Sequence, residues 1–167
     1  HTLFVAHLLE KTLNEVGRGV TIIEAYSAEA DSGQLHIVIC PQIFAELPQN
    51  FVAFQMEQSI NPRWFTPEYF ATLERAMAIF DYSLTNINYL LEHGIPYQKL
   101  FYLPIASYAD YDVQLKQKGH QLEGVEKPID ILFYGDTNCE RRRHYLEQLG
   151  QRFNVHIASG VFGDDLT

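Results

Sequence analysis

Apolar and polar positions along this chain switch repeatedly between the spacing of a helix and the unbroken runs of a buried strand. Residues 3–16 place apolar side chains three and four positions apart and stop before Gly17, which predicts an amphipathic helix closed by a glycine. Short apolar runs without that spacing predict strands of a parallel sheet that is covered on both faces. The predicted strands span 20–23, 35–40, 51–54, 78–80, 100–103, 129–134 and 153–157.

Helix signals fall between these strands. Thr66 followed by Pro67 predicts a helix that runs to about Met77, because threonine caps a first turn and proline fits its first position. Ser83 predicts the cap of a further helix, which Gly94 ends. Strands interleaved with helices predict right-handed crossovers. The predicted fold is therefore α/β, with a Rossmann-like parallel sheet and helices on both of its faces.

The domain organisation follows from a polar, weakly periodic stretch over residues 106–128, which predicts a linker. Residues 1–105 then form a Rossmann-like domain, and residues 129–167 form one strand–helix–strand (βαβ) unit. A unit of this size is too small to bury a core alone, so it either extends the first sheet or opens a second domain. Its apolar surface also predicts homo-oligomers that associate through this unit.

Charge and composition narrow the classes of partner. The chain has 167 residues, 47% of them hydrophobic, and a formal net charge of −9. That charge argues against nucleic-acid binding, which needs a basic surface. Four of the twelve Lys and Arg residues nevertheless fall between positions 141 and 152, and a basic spot in an acidic chain suits a small anionic ligand.

Two features bear on the compartment. No run of about 18 apolar residues is present, so the sequence predicts no transmembrane segment. The two cysteines, Cys40 and Cys139, show no metal-binding or redox spacing. A reducing cytoplasm is the compartment that the sequence predicts.

The most distinctive pattern lies at the start of the βαβ unit. An apolar strand ends at Gly135, and Thr137 to Glu140 has the spacing of a capping box at a helix start. Arginines occupy the next three positions, where positive charge opposes the helix dipole. A helix N-terminus binds anions, so a phosphate above these cations is one interpretation. A charged first turn solvated by water and local carboxylates is the other.

The three arginines are not equivalent. Arg142 lies four residues before Leu146, on the buried side of the predicted helix, and should emerge at the carboxyl end of the strand. Arg143 is spaced to pair with Glu140 and Glu147 on the surface.

Polar side chains also follow the strands of the first domain, and open α/β sheets bind ligands beyond the carboxyl ends of their strands. Glu57 follows the strand 51–54, and Asp81 follows the strand 78–80. Each has a structural alternative, since Glu57 can pair with Arg63 and Asp81 can bond the backbone at a helix start. Trp64, the only tryptophan, can stack on a sugar ring or pack against the domain.

These motifs together resemble a bacterial glycosyltransferase of the two-Rossmann GT-B type, in the broad family 1-like group. The resemblance covers nearly the whole chain and implies that residues 1–105 face the acceptor. It also implies that residues 129–167 open a donor-binding domain, that a first strand precedes His1, and that this chain alone is inactive. The residues that carry it are Phe54-Gln55-Met56-Glu57-Gln58, Arg63-Trp64, Tyr69, Phe80-Asp81-Tyr82-Ser83, Asn86, Asp130 to Gly135, Arg141-Arg142 and Phe162-Gly163.

The resemblance implies transfer of a sugar from a nucleotide-sugar donor to a saccharide, lipid-linked or protein acceptor, in the cytoplasm or at the inner membrane. The resemblance implies neither a catalytic metal nor a cofactor, with the nucleotide sugar as a substrate. A non-catalytic flavodoxin-like binding domain is the alternative function.

The resemblance also implies roles for individual residues. His1 and Glu57 take catalytic roles, with His1 as general base unless it is the remnant of a tag. The implied acceptor-binding residues are Gln58, Trp64, Asp81 and Tyr82. The implied donor-phosphate-binding residues are Gly135, Asp136, Asn138, Arg141 and Arg142.

Overall fold

The computed structural model describes residues 2–27, 33–60, 63–106 and 128–161. The chain divides into two compact units, residues 1–108 and 109–167, and this division falls inside the predicted linker. Three predictions concern residues outside the described ranges: the role of His1, most of the linker, and the Phe162-Gly163 motif.

The first unit is α/β with a parallel sheet, as the sequence predicts. Its four strands are ordered β1-β2-β3-β4, and every neighbouring pair is parallel. The elements in chain order are α1 (Thr2–Glu15), β1 (His36–Ile39), β2 (Phe51–Gln55), α2 (Pro67–Arg75), β3 (Ala78–Asp81), α3 (Leu84–Glu92) and β4 (Leu100–Tyr102).

The predicted strand over 20–23 is wrong, because those residues run without strand pairing. The backbone amide of Val20 donates to the Asn14 side chain at 3.1 Å, so this segment closes α1 instead of joining the sheet. Ile23 is left exposed as a result.

The core of the first unit lies between one face of the sheet and the helices α2 and α3. Side chains at alternate positions of the strands share this face, as the register pairing of Ala53, Ile79 and Leu100 requires. The cluster is completed by buried side chains of both helices, among them Leu73 and Leu90. The two helices thereby flank the sheet and fix the loops at its carboxyl edge.

Caps place the helices where the sequence predicts them. The Thr66 hydroxyl accepts from the Tyr69 amide at 3.3 Å, and the Ser83 hydroxyl accepts from the Asn86 amide at 3.4 Å. Gly94 closes α3 with a φ of 92°, a left-handed conformation that glycine adopts without a steric penalty. Both helices therefore start directly after the carboxyl-end loops of β2 and β3.

The second unit is the predicted βαβ element, with β5 (Ile131–Tyr134), α4 (Glu140–Gly150) and β6 (Val155–Ala158). The two strands pair in parallel. The prediction that the first of these strands is covered on both faces is wrong, since Leu132 and Tyr134 are half exposed. Two strands and one helix can cover only one face of the sheet.

The predicted capping box at Thr137 is also wrong. Helix α4 begins at Glu140, with Cys139 as its N-cap and no side-chain capping hydrogen bond. Asp136 Oδ1 accepts from the Asn138 amide at 2.8 Å, and this local turn holds the preceding residues in a non-helical conformation.

Candidate functional site

Two buried polar side chains face each other at the carboxyl edge of the first sheet. Gln55 ends β2 and Asp81 ends β3, and the strand register places them opposite one another. Both are 0% exposed. Gln55 Nε2 donates to Asp81 Oδ2 at 2.8 Å. Burial of polar groups is costly unless they are hydrogen-bonded, so this pair requires further partners.

The Asp81 carboxylate is held by neutral donors. Its Oδ1 accepts from the Ser83 amide at 2.8 Å and from Asn86 Nδ2 at 3.2 Å, in addition to the bond from Gln55. Burial raises the pKa of Asp81 to about 6, because the loss of hydration outweighs the hydrogen bonds that favour the charged form. Asp81 is therefore largely ionised at neutral pH and titrates in mild acid.

Asn86, in the first turn of α3, connects this carboxylate to the loop after β2. Its Nδ2 donates to the Glu57 carbonyl at 2.8 Å, and its Oδ1 accepts from the amide and the hydroxyl of Ser59 at 3.0 and 2.9 Å. Gln55 holds the same loop by donating to the Glu57 carbonyl at 2.9 Å and accepting from the Glu57 amide. We call these residues the edge network: Gln55, Glu57, Ser59, Asp81, Ser83 and Asn86.

The Glu57 side chain is half-buried, and its hydrogen-bond partner, Gln42, is one that the sequence does not predict. Its Oε1 accepts from Gln42 Nε2 at 2.8 Å. The predicted alternative of a salt bridge with Arg63 is wrong: within the described ranges no carboxylate lies at ion-pair distance from Arg63. The Arg63 guanidinium instead lies 5.0 Å from the centroid of the Trp64 ring, within the range of a cation–π contact.

The remaining predicted acceptor residues are Gln58, Tyr82 and Trp64. Gln58 is exposed and Tyr82 is half-buried, each next to a member of the edge network. Burial raises the pKa of Tyr82, while the neighbouring Gln58 side chain lowers it. Trp64 is 38% exposed and lines a groove that Gln42 also lines.

Two further groups near Glu57, Cys40 and Tyr69, have no site role among the sequence predictions. Cys40 follows β1 in a left-handed conformation with a φ of 55°, and burial together with Glu57 raises the pKa of its thiol to about 11. Burial raises the pKa of Tyr69 well above its ordinary value, with Cys40, Glu57 and Asp81 contributing. Both groups therefore stay protonated at neutral pH.

We expect the titration of Asp81 to lower the unfolding free energy of the first unit as pH rises from 3.8 to about 6. In this interval the folded chain holds a proton on Asp81 that the unfolded chain has already released, so the folded state is favoured at the lower pH. The amide side chain in Asp81→Asn cannot titrate, so this variant should lack that pH dependence of the unfolding free energy. Urea unfolding of both proteins across the interval measures it. Identical pH profiles for the two proteins would contradict the assignment.

In the second unit, Arg142 reaches back to the turn after β5. Its Nη1 donates to the Asp136 carbonyl at 2.8 Å, which places the guanidinium at the carboxyl end of the strand. Gly135 occupies this turn with a φ of 138°. The side chains of Asn138 and Arg141 are exposed beside it.

The predicted ion pairs of Arg143 with Glu140 and Glu147 are wrong, since none forms among the residues that the structure describes. All three side chains are exposed, where pairing gains little over hydration. Cys139 differs from Cys40 because its thiol is exposed at the start of α4. The nearby backbone amides of Arg142 and Arg141, which the thiol does not cap, and the charges of both arginines lower its pKa.

These observations define an α/β protein with a parallel four-stranded sheet flanked by helices, compatible with a Rossmann-like fold. Comparison with known protein families, curated proteins and solved structures finds no match. None of the helices in the described ranges is long and apolar enough to cross a membrane. Among the described side chains, no three of His, Cys, Asp or Glu lie together as a metal site.

Proposed function

We propose that this chain is part of a glycosyltransferase that moves a sugar from a nucleotide-sugar donor to a hydroxyl-bearing acceptor. The edge network carries the proposal. A fully hydrogen-bonded polar network is rigid, and the carboxyl edge of a parallel sheet is where such folds bind ligands. Here it holds a buried carboxylate by neutral donors and fixes the loop that bears Glu57.

Glu57 is the group that we assign to the acceptor hydroxyl. Gln42 orients one carboxylate oxygen, which leaves the other to accept the hydroxyl proton. In the transfer step the acceptor oxygen bonds to the anomeric carbon of the donor sugar and its proton passes to Glu57. The bond from that carbon to the diphosphate breaks, and the nucleoside diphosphate leaves with the electron pair.

The donor side of the proposal rests on the turn after β5. Arg142 commits one nitrogen to the Asp136 carbonyl and keeps its other donors for the oxygens of a diphosphate. Asp136 shapes the turn through its bond from the Asn138 amide. We assign it no direct phosphate contact, because a carboxylate repels an anion. Cationic groups placed in this way stabilise the charge that develops on the leaving group.

Glu57→Gln is expected to lower the rate of transfer about 100-fold or more, since a positioned general base contributes on this scale. The amide oxygen of the new side chain can still accept from Gln42, so the unfolding free energy should change little. The measurement is the initial rate of nucleoside diphosphate release by the full-length protein, with UDP-, GDP- and dTDP-sugars as donors and neutral oligosaccharides as acceptors.

The matched control for that variant is Glu74→Gln, which removes an exposed carboxylate on α2. It should leave both the rate and the stability unchanged. Equal losses of rate and stability in Glu57→Gln would assign Glu57 a purely structural role. Donor binding without turnover in the unsubstituted protein would favour the non-catalytic binding domain.

A further inference from the structure

The side-chain amide of Gln55 is oriented by an ionised Asp81. Its Nε2 donates to Asp81 Oδ2 at 2.8 Å and to the Glu57 carbonyl at 2.9 Å, and its Oε1 accepts from the Glu57 amide. Both N–H donors of the Gln55 amide are thereby used. This orientation requires Oδ2 to be an acceptor, as it is in a carboxylate. One amide therefore holds both the buried carboxylate and the backbone of the loop that bears Glu57.

The place where this carboxylate takes up a proton follows from the donors that each of its oxygens already accepts. Oδ1 accepts from the Ser83 amide at 2.8 Å and from Asn86 Nδ2 at 3.2 Å. Among the residues that the structure describes, Oδ2 accepts only from Gln55. An added proton therefore goes to Oδ2, where the new O–H group faces the N–H group of Gln55.

A half-turn of the Gln55 amide removes this conflict, because it presents Oε1 as an acceptor to the new O–H group. The same half-turn breaks both bonds to Glu57. Nε2 then faces the Glu57 N–H group, and Oε1 faces the Glu57 carbonyl. Gln55 is 0% exposed, so water does not replace these partners. The protonated form thus keeps its bond to Asp81 and loses its bonds to Glu57.

No cation offsets the charge of Asp81. Within the described ranges Asp81 forms no ion pair, and helix α3 presents to it the neutral side chain of Asn86. The titratable side chains that the other packed elements place around this network are all acids: Cys40 after β1, Glu57 after β2, Tyr69 of α2, Tyr82 after β3 and Tyr102 of β4. Burial without a cation raises the pKa of Asp81 to about 6, so mild acid protonates it.

We propose that protonation of Asp81 in mild acid turns the Gln55 amide and releases the loop that bears Glu57. The switch is local. Asn86 still donates to the Glu57 carbonyl and accepts from the Ser59 amide, so the far end of the loop stays held. The proposal goes beyond the proposed function, since the switch exists whatever ligand this sheet edge binds. It makes neutral pH the condition under which Glu57 is fixed in place.

Linkage sets the direction of the switch. The bond from Gln55 Nε2 favours the charged carboxylate, whereas a bond from the acid O–H group to Oε1 favours the neutral form. The pKa of Asp81 is therefore higher with the loop released than with the loop held, and protonation drives the release. Asp81 stays buried in both forms. Release is thus separate from global unfolding, in which the carboxyl group becomes hydrated and its pKa falls.

Two backbone amides of the loop report the switch against each other. The Glu57 amide is bonded to Gln55, and the Ser59 amide is bonded to Asn86. Hydrogen exchange of both is measured by NMR on the full-length protein, and the ratio of their rates cancels the ordinary pH dependence of exchange. On acidification the Glu57 amide should lose about fivefold or more of its protection relative to Ser59, the scale of one net hydrogen bond, with a midpoint at about pH 6.

Asp81→Asn reproduces the protonated form, because its amide presents N–H groups to Gln55 in place of Oδ2. The Glu57 amide of this variant should be weakly protected at every pH, and the exchange ratio should not titrate. The matched control is Glu57→Gln, which removes the other carboxyl group of the network and keeps the backbone amide. Its exchange ratio should titrate as that of the unsubstituted protein does.

Three results would overturn the proposal. They are an exchange ratio that stays constant with pH in the unsubstituted protein, a ratio that titrates equally in Asp81→Asn, and a titration that is lost in Glu57→Gln. If Asp81→Asn does not fold, the other two measurements still decide. The experiment needs no substrate. A protein that transfers no sugar but shows the titration keeps the switch, and transfer without the titration keeps only the proposed function.

Discussion

Replacing Asn86 with Ala is expected to destabilise the first unit by about 3–5 kcal/mol, from the roughly 1–3 kcal/mol that each orphaned buried polar group costs. Asn86 is buried, and its side chain is hydrogen-bonded to three other residues of the edge network, Ser59, Glu57 and Asp81. Without it the Ser59 amide loses its partner and the Asp81 carboxylate loses one of its donors. The Glu57 carbonyl keeps only the bond from Gln55. Equilibrium unfolding in urea measures the loss.

The chain supplies a matched control two residues further along the same helix. Asn88 is exposed, so Asn88→Ala should change the unfolding free energy by no more than about 0.5 kcal/mol. If the two substitutions cost the same, the hydrogen bonds of Asn86 do not hold this edge together, and the rigidity that we assign to the Glu57 loop fails.

Arg142→Ala is expected to weaken binding of a nucleoside diphosphate by roughly 1.5–3 kcal/mol, which is about 10- to 150-fold, the scale of charge-assisted hydrogen bonds. Its guanidinium lies at the turn after β5, where the proposed diphosphate sits. Calorimetric titration of the full-length protein with UDP, GDP and dTDP measures the change.

Arg143→Ala is the control for that titration. The Arg143 side chain is exposed one position further along α4. Its replacement by Ala removes the same charge as Arg142→Ala does. Its effect should stay well below that of Arg142→Ala. Equal affinities in the unsubstituted protein and Arg142→Ala would remove the physical argument for a phosphate site at this turn.

The parallel sheet of the first unit could be predicted because apolar runs, caps and crossovers agree with one another. Thr66 and Ser83 cap α2 and α3 as predicted, since each cap depends on only a few neighbouring residues. Local patterns failed to predict the structure at two places, the segment 20–23 and the Thr137 capping box. Each has the local pattern of the predicted structure. In the first, the Asn14 side chain accepts from the Val20 amide, and in the second, the Asp136 side chain accepts from the Asn138 amide, so the backbone adopts another conformation.

The candidate site could be predicted only as a region. Placing Glu57 and Asp81 at one sheet edge requires only that parallel strands end together. The partners of those residues depend on side-chain packing: Gln42 takes the place predicted for Arg63, and Gln55 and Asn86 surround Asp81. The exposed residues of α4 could not be paired from spacing alone, because solvated ion pairs gain too little energy to be fixed by it.

Mass spectrometry of the acceptor tests most directly whether the full-length protein moves a sugar from a nucleotide to a hydroxyl-bearing acceptor, as we propose. The protein is incubated with UDP-, GDP- and dTDP-sugars and with neutral oligosaccharides. We predict that one acceptor gains the mass of one sugar residue and that an equal amount of nucleoside diphosphate is released. Acceptors that remain unmodified with every donor would contradict the claim.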